Sequence, residues 1–401
     1  MLWFRRQAPV ANGGFYSAID VGTSKVCTLV GSLEDGDFFR ILGVGFVPSQ
    51  GMRKAMVTDL SEVGESVRAS VQEAERTSGL RLGPAFVGIT GSHISSFNAQ
   101  GTLARPAGSS DLPAGDVKGL VKDGRFLPRS QDRKVLHVLP QACAPGMLGR
   151  FALETNLHVV TTATTSLRNL VKAVRRAGVN VADVVLEPLA SGEAVLRPAE
   201  KEIGVVVVDI GGGTTDIAVF RDNRACYTAA IPVAGYQFTR DLSLGLGISL
   251  EEAEELKVKH ANLRPYGGPA TITTGEGKKV SYLKMMDILR ARVEETLQLI
   301  WVELAGEDLP NLAPAGVVLT GGTSRLPGMV ELAAQVFRLP CRVGVPRNIS
   351  GLVDFLHDPA FATSVGLLYW GARYSDKGFQ RRHAPGPLGR LWGQVRRRLW
   401  A

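Results

Sequence analysis

The sequence predicts an α/β protein made of two related halves, each opening with a hairpin. Three observations carry this. Strand-like and helix-like segments alternate along the body of the chain. Residues 15–32 read as two strands around the turn Asp20-Val-Gly-Thr-Ser. Residues 205–221 repeat that plan, with a four-valine strand ending in Asp209-Ile, the turn Gly211-Gly-Gly-Thr-Thr, and the strand Ile217-Ala-Val-Phe. Asp20 and Asp209 stand 189 positions apart, a spacing that suits a duplicated plan.

The other elements follow in order. Helical patterns run over 60–77, 167–177, 250–260, 284–304 and 327–337. Residues 105–115 and 266–278 are rich in Gly and Pro and read as loops. At 401 residues the chain is too long for one ordinary core, so two or three domains are expected. Cys27, Cys143, Cys226 and Cys341 lie far apart, form no CxxC pair and read as buried thiols of a reducing compartment. The N-terminus, Met1-Leu-Trp-Phe-Arg-Arg, turns polar at once, unlike a secretory signal, and no apolar run reaches the ~18 residues that cross a bilayer. A cytoplasmic protein is expected.

Charge is informative once located. The whole chain carries +8, yet Lys377, Arg381, Arg382, Arg390, Arg396, Arg397 and Arg398 stand in a C-terminal stretch without Asp or Glu. A near-neutral body with a basic tail argues against nucleic acid as the partner and for an anionic surface met by the tail.

Three turns carry the chemistry. In Asp20-Val21-Gly22-Thr23-Ser24-Lys25, glycine allows close approach to a phosphate, and the following N–H groups and hydroxyls can donate to it. Alone, this pattern also suits a plain hairpin. Asp209-Ile210-Gly211-Gly212-Gly213-Thr214-Thr215-Asp216 is more specific, because three glycines after a four-valine strand weaken it unless the backbone must approach something closely. Leu319-Thr320-Gly321-Gly322-Thr323-Ser324 joins a strand to a helix with Pro327 near its start.

In this order and spacing the turns resemble the phosphate-1, phosphate-2 and adenosine motifs of the superfamily of actin, sugar kinases and heat-shock chaperones. Leu186–Val195 and Phe361–Gly371 resemble its two interdomain connecting helices. Within it, the chain from about Phe15 to Tyr374 resembles the bacterial cell-division FtsA family, through Gly91-Ser-His-Ile, Val135-Leu-His-Val-Leu-Pro-Gln, Asn169-Leu-Val-Lys, Arg175-Arg-Ala-Gly and Glu255-Leu-Lys-Val-Lys-His. The implied fold is an actin-like ATPase fold, two halves around a nucleotide cleft, each with an inserted small subdomain. The implied division is a first core half at 13–86 and 167–204, an insert at 87–166, a second core half at 205–246 and 314–378, and an insert at 247–313. A linker at 379–386 and a terminal helix at 387–401 would follow. Two departures stand out. Gln141–Arg150 compresses a longer loop of the family, which puts the subunit contact made there in doubt, and Ala261 replaces the usual glycine after Lys259-His260.

The resemblance implies ATP with Mg²⁺. Asp20 and Asp209 would hold the metal through water. Gly22, Thr23 and Ser24 would hold phosphates from one half, with Gly211, Gly212, Gly213, Thr214 and Thr215 from the other. Lys25 would add charge or be a solvated hairpin lysine. Gly321, Gly322, Thr323 and Ser324 would lie along the nucleoside. Glu254 and Lys257 match positions that meet ribose and adenine, or form a surface ion pair. Glu187 matches a water-positioning glutamate, or is structural. Binding is better supported than turnover.

In the tail, Leu388, Leu391, Trp392, Val395 and Leu399 share one helical face, with Arg396, Arg397, Arg398 and Trp400 beside it. Such a helix lies in a membrane interface, each Arg adding roughly 1 kcal/mol near an anionic leaflet; a packing helix or basic tail is the other reading. The family resemblance then implies a filament on the cytoplasmic face of the membrane at the division site, tethering the tubulin-like FtsZ and recruiting later division proteins. Arg290 and Arg292 are candidates for the acidic FtsZ tail; a solvated helix face is the alternative. The competing functions are a PilM-like pilus-assembly adaptor, which needs no amphipathic tail, and a small-molecule kinase, which needs a catalytic base that the sequence does not display.

Overall fold

The computed structural model describes residues 14–34, 38–104, 132–141, 152–264, 268–304 and 309–374. The first half is built on β1 (Phe15–Val21) and β2 (Lys25–Leu33), paired antiparallel with Asp20 opposite Cys27, and on β3 (Phe39–Pro48). A short hairpin, β4 (Met52–Arg53) and β5 (Met56–Val57), leads into α1 (Leu60–Ser78). Asp59 starts this helix by accepting hydrogen bonds from the Ser61 and Glu62 N–H groups, and left-handed Gly79 ends it. Next come β6 (Ala85–Ile89), β7 (Ser95–Ala104), β8 (Arg133–Pro140), β9 (Ala152–Ala163), α2 (Thr164–Arg176) and β10 (Val181–Leu186). Helices α3 (Glu187–Val195) and α4 (Pro198–Ile203) lead into the second half.

There β11 (Val205–Ile210), β12 (Thr215–Arg221) and β13 (Arg224–Ile231) form an antiparallel meander. Helices α5 (Gly235–Leu246) and α6 (Leu250–His260), strands β14 (Thr271–Thr273) and β15 (Lys279–Ser281), and helices α7 (Tyr282–Leu304) and α8 (Leu309–Leu312) follow. Strand β16 (Val317–Thr320), helix α9 (Met329–Phe337) and strand β17 (Cys341–Val343) complete a sheet of order β13-β12-β11-β16-β17. The valine strand β11 is central and buried at every position, which is why it reads as a continuous apolar run. The chain then returns to the first half. Strand β18 (Ile349–Gly351) closes the first sheet, of order β10-β6-β1-β2-β3-β18, and α10 (Ala362–Tyr374) packs against β1. One core cluster fills the first half and continues through α3 and α10 onto one face of the second sheet, with Val205, Val207, Ala218 and Phe220, and a second cluster fills the opposite face of that sheet. Helices α3 and α10, the segments that resemble connecting helices, pack closely on each other.

Strands β7, β9 and β8 make a separate antiparallel sheet inside residues 87–166. It rests on β13 of the second half, where Ser96 Oγ donates to the Thr228 carbonyl at 2.7 Å and His158 Nε2 lies 2.9 Å from Thr228 Oγ1.

Local differences from the sequence expectation have simple causes. The supposed loop at 266–278 contains β14, because Thr-Ile-Thr alternates and buries Ile272 in a hairpin with Val280. The last helix of the expected set begins at Met329, with Pro327 before it, and a 3₁₀ turn at Gly322–Arg325 takes up the preceding residues. Ala261 leaves α6 at φ −64 and ψ 132, extended backbone that needs no glycine. Cys27 is buried, but Cys226 and Cys341 are half-buried because they lie on the two edge strands of the second sheet. Cys143, the shortened loop and the C-terminal helix lie outside the described residues.

Candidate functional site

The β1–β2 turn and the β11–β12 turn face each other and close in the same way. Gly22 N–H donates to the Lys25 carbonyl at 3.0 Å, and Gly211 N–H donates to the Thr214 carbonyl at 3.0 Å. A Cβ on Gly212 would run into Ser24 Oγ, and one on Gly213 into Thr23 Oγ1. The carbonyls of the glycine turn are taken up behind it. Gly211 accepts from Gly235 N–H (3.1 Å) and Thr323 Oγ1 (2.8 Å), and Gly212 accepts from Tyr236 N–H (2.7 Å) at the start of α5. The N–H groups of Thr23, Ser24, Gly212 and Gly213 have no hydrogen-bond partner among the described residues. Unpaired, facing N–H groups at two glycine turns are a donor set for an anion.

Three buried carboxylates, Asp20, Asp209 and Asp216, and half-buried Glu187 stand behind these donors. Asp20 accepts from Ser364 Oγ at 2.8 Å. Asp209 accepts from Ser191 Oγ at 2.5 Å and Thr363 Oγ1 at 3.1 Å. Helices α3 and α10 therefore supply the hydroxyls that orient one aspartate from each half. Asp216 accepts from Thr90 Oγ1, across from the first half, and from Thr214 Oγ1 at 3.1 Å. Glu187 opens α3. Burial raises all four carboxyls above their ordinary range, Glu187 well above it. The other three carboxylates raise Glu187 further, and Lys25 opposes them. Buried negative charge in such excess is the chemistry that a divalent cation relieves. Among the described residues no three His, Cys, Asp or Glu converge as a direct ligand set. Beside Glu187 a cavity of about 20 Å³, lined also by Thr90, His93 and Ala55, has room for a water.

Lys25 is half-buried rather than solvated, and its charge reaches the carboxyls, opposing the rise at Asp20, Asp209 and Glu187. Its Nζ donates to the Ala360 carbonyl at 2.5 Å and lies 4.8 Å from the centre of the Phe361 ring. Asp216 is the site residue that motif reading passed over. Its signal was available, an acid straight after Thr-Thr at the start of a buried strand.

The third turn adjoins the second. A Cβ on Gly321, at φ 81, would meet Asp209 Oδ1 and the Ile210 carbonyl, and Ser324 Oγ donates to the Gly321 carbonyl at 2.7 Å. Gly322 lies against Ala360. Glu254 and Lys257 are more than a surface pair. Lys257 is buried, 2.7 Å from Glu254, and also donates to Thr239 Oγ1 at 2.9 Å and to the Gly235 carbonyl at 3.3 Å, beside the turn. Thr215 lies at the base of the glycine turn, its hydroxyl donating to the Val233 carbonyl at 2.7 Å.

The raised carboxyls make stability depend on pH. Asp216 is pushed to about 8 by burial, so the folded chain holds this proton more tightly than the unfolded chain. Its contribution is complete below about pH 4 and is lost as pH rises through 8, by at most about 1.4 kcal/mol per pH unit. Denaturant titrations between pH 5 and 8 without nucleotide should show stability falling, and Asp216→Asn should flatten the slope. An unchanged slope in that variant would mean that Asp216 is ionised in the folded chain.

The profile of the family described as "Cell division protein FtsA" matches residues 206–366. A cell division protein FtsA from Pseudomonas aeruginosa is 36% identical over 387 residues, which cover 92% of this chain and 92% of that protein. The chain belongs to the FtsA family. The Escherichia coli FtsA is 33% identical, covering 88% of this chain and 89% of its own length. Solved structures share the actin-like fold at lower identity. The PilM–PilN type IV pilus biogenesis complex aligns over 89% of this chain and 98% of its own, with TM-score 0.68 and 17% identity. MreB5 of Spiroplasma citri bound to ADP aligns over 90% and 97%, with TM-score 0.53 and 14% identity.

Other FtsA-type expectations concern partners. Arg290 and Arg292 are half-exposed, and each is paired with carboxylates of its surroundings. Arg290 pairs with Glu294 at 2.8 Å and donates to the Leu263 carbonyl at 3.0 Å. Arg292 pairs with Asp241 and, at 2.8 Å, with Glu295. The tail residues Leu388, Leu391, Trp392, Val395, Arg396, Arg397, Arg398, Leu399 and Trp400 lie outside the described residues. No described helix is long and apolar enough to cross a membrane.

Proposed function

We propose that this chain binds ATP with Mg²⁺ between its two halves and polymerises on the cytoplasmic face of the membrane, where it tethers FtsZ at the division site. The observation that carries the nucleotide reading is the pair of facing turns with unpartnered N–H groups, beside four carboxylates, three of them buried. Thr23, Ser24, Gly212 and Gly213 would hold the phosphates. Gly321, Gly322, Thr323, Glu254 and Lys257 would border the nucleoside. Asp20 and Asp209 would hold the hydrated metal, which supplies positive charge to the phosphate oxygens, and Glu187 would orient the water of its cavity. Structures of the same fold have been solved with ADP and as a double helical filament of MamK, which supports nucleotide use and self-assembly here. The proposed division keeps 87–166 and 247–313 as inserts, except that β6 (Ala85–Ile89), paired with β1 and β10, belongs to the first core half.

Helices α3 and α10 link the halves and orient Asp20 and Asp209, so nucleotide would bias the angle between the halves and hence subunit contacts. Each tail would bind the membrane weakly, and a filament would add tails at high effective concentration. An acidic FtsZ tail would have to compete with Glu294, Glu295 and Asp241 for Arg290 and Arg292, so charge on α7 contributes modestly.

The test is sedimentation with anionic liposomes. Wild type should pellet with the vesicles and bring an FtsZ C-terminal peptide with it. Trp392→Glu, which places a charge on the apolar face, should stay in the supernatant and still bind ATP. A Trp392→Glu protein that pellets like wild type would remove the tail as the anchor. A PilM-like adaptor would pellet in neither form.

A further inference from the structure

Lys25, whose charge acts on the site carboxyls, donates to the Ala360 carbonyl. Lys257 is held by Glu254 and Thr239. One other lysine borders the glycine turn. Lys54 and Ala55 form the two-residue turn between β4 and β5, and both are left-handed, at φ 48 and φ 59. Such hairpin turns favour Asn-Gly, because a side chain at positive φ is strained. Strain of this kind persists where the surroundings over-determine it, and it gathers at ligand clamps.

The surroundings here are the two phosphate turns themselves. Ala55 N–H donates to Thr23 Oγ1 at 3.1 Å. Lys54 Cα lies 3.0 Å from where a Cβ on Gly213 would sit. The hairpin of the first half is thus clamped between one residue from each turn. Lys54 is half-buried, and its ammonium has no hydrogen-bond or ion-pair partner among the described residues. Position along the glycine turn selects the phosphate. Thr323 and Gly235, with Lys257 beside it, gather at Gly211, the nucleoside end. Lys54 stands at Gly213, the opposite end.

We propose that Lys54, delivered by the β4–β5 turn, binds the terminal phosphate and makes the site prefer a nucleoside triphosphate to a diphosphate. The proposal deepens the nucleotide reading and rests on it. A free ammonium at that end adds a charge-assisted contact to the terminal phosphate that the diphosphate lacks.

The experiment measures equilibrium affinity for Mg–ATP and Mg–ADP in wild type, Lys54→Gln and Lys54→Gly. Lys54→Gln should weaken ATP roughly tenfold or more and leave ADP within about twofold. Lys54→Gly should lose the same preference while melting no lower than wild type without nucleotide, because glycine accepts the left-handed turn. Either variant binding ATP as tightly as wild type, or Lys54→Gln losing ATP and ADP equally, overturns the assignment to Lys54 alone. A wild type that binds neither nucleotide overturns the nucleotide reading and this proposal with it.

Discussion

Gly212→Asp should abolish measurable ATP binding, a loss of at least about a hundredfold. The new Cβ runs into Ser24 Oγ, and the carboxylate enters the space between the two turns where the Thr23, Ser24, Gly212 and Gly213 N–H groups stand unpaired. It would take those donors for itself and repel phosphate, in a region that already holds four carboxylates, three of them buried. Two effects of the same sign, each worth about 1.5–3 kcal/mol when a charged hydrogen bond is at stake, give that magnitude. Titration with a fluorescent ATP analogue checks it, with circular dichroism to establish that the variant folds. Because the clash lies in a turn between strands, the two cores should survive. A folded Gly212→Asp with wild-type affinity would move the phosphates away from this turn.

The largest effect on stability is expected at Gly366, in the middle of α10. A Cβ there would run into the Ala190 carbonyl of α3, which is backbone and cannot rotate away. Gly366→Ala should therefore force the two linking helices apart and destabilise the chain by about 3 kcal/mol or more, mostly from overpacking. Function should suffer with it, since Ser364 and Thr363 on the same helix orient Asp20 and Asp209. Gly64, inside α1, is the control of opposite sign. The nearest atom to its added Cβ is 3.6 Å away, ordinary contact, so Gly64→Ala should be neutral or stabilise by up to about 1 kcal/mol through helix propensity. Chemical denaturation of the two variants decides the matter; equal midpoints would show that α3 and α10 are not in close contact.

Much of this was open to reading in the chain alone. β11 announces itself because a central strand must be apolar on both faces, and the glycine turn at 211–213 because its close approach to Thr23 and Ser24 demands glycine. α6 announces itself through Ser249 and Glu252, which cap it reciprocally. The tail's apolar face is a statement of sequence periodicity. Lys25, Arg290 and Arg292 show the limit. Their type and position suggested free positive charge, yet each is engaged by groups distant in sequence, Ala360 for Lys25, Leu263 for Arg290 and Asp241 for Arg292.

The sequence by itself determined the family, the α/β class and the three turns, because each depends on local spacing or on backbone demands that only particular residues meet. The tertiary structure alone decided which side chains share the site. It set Ser24 against Gly212, joined Asp216 to Thr90, and placed Lys54, without a partner among the described residues, beside Gly213. These pairings span 126 to 188 residues in the first two cases, and they exist only because α3 and α10 hold the two halves face to face. No local pattern encodes such contacts; burial and the geometry of packed helices create them.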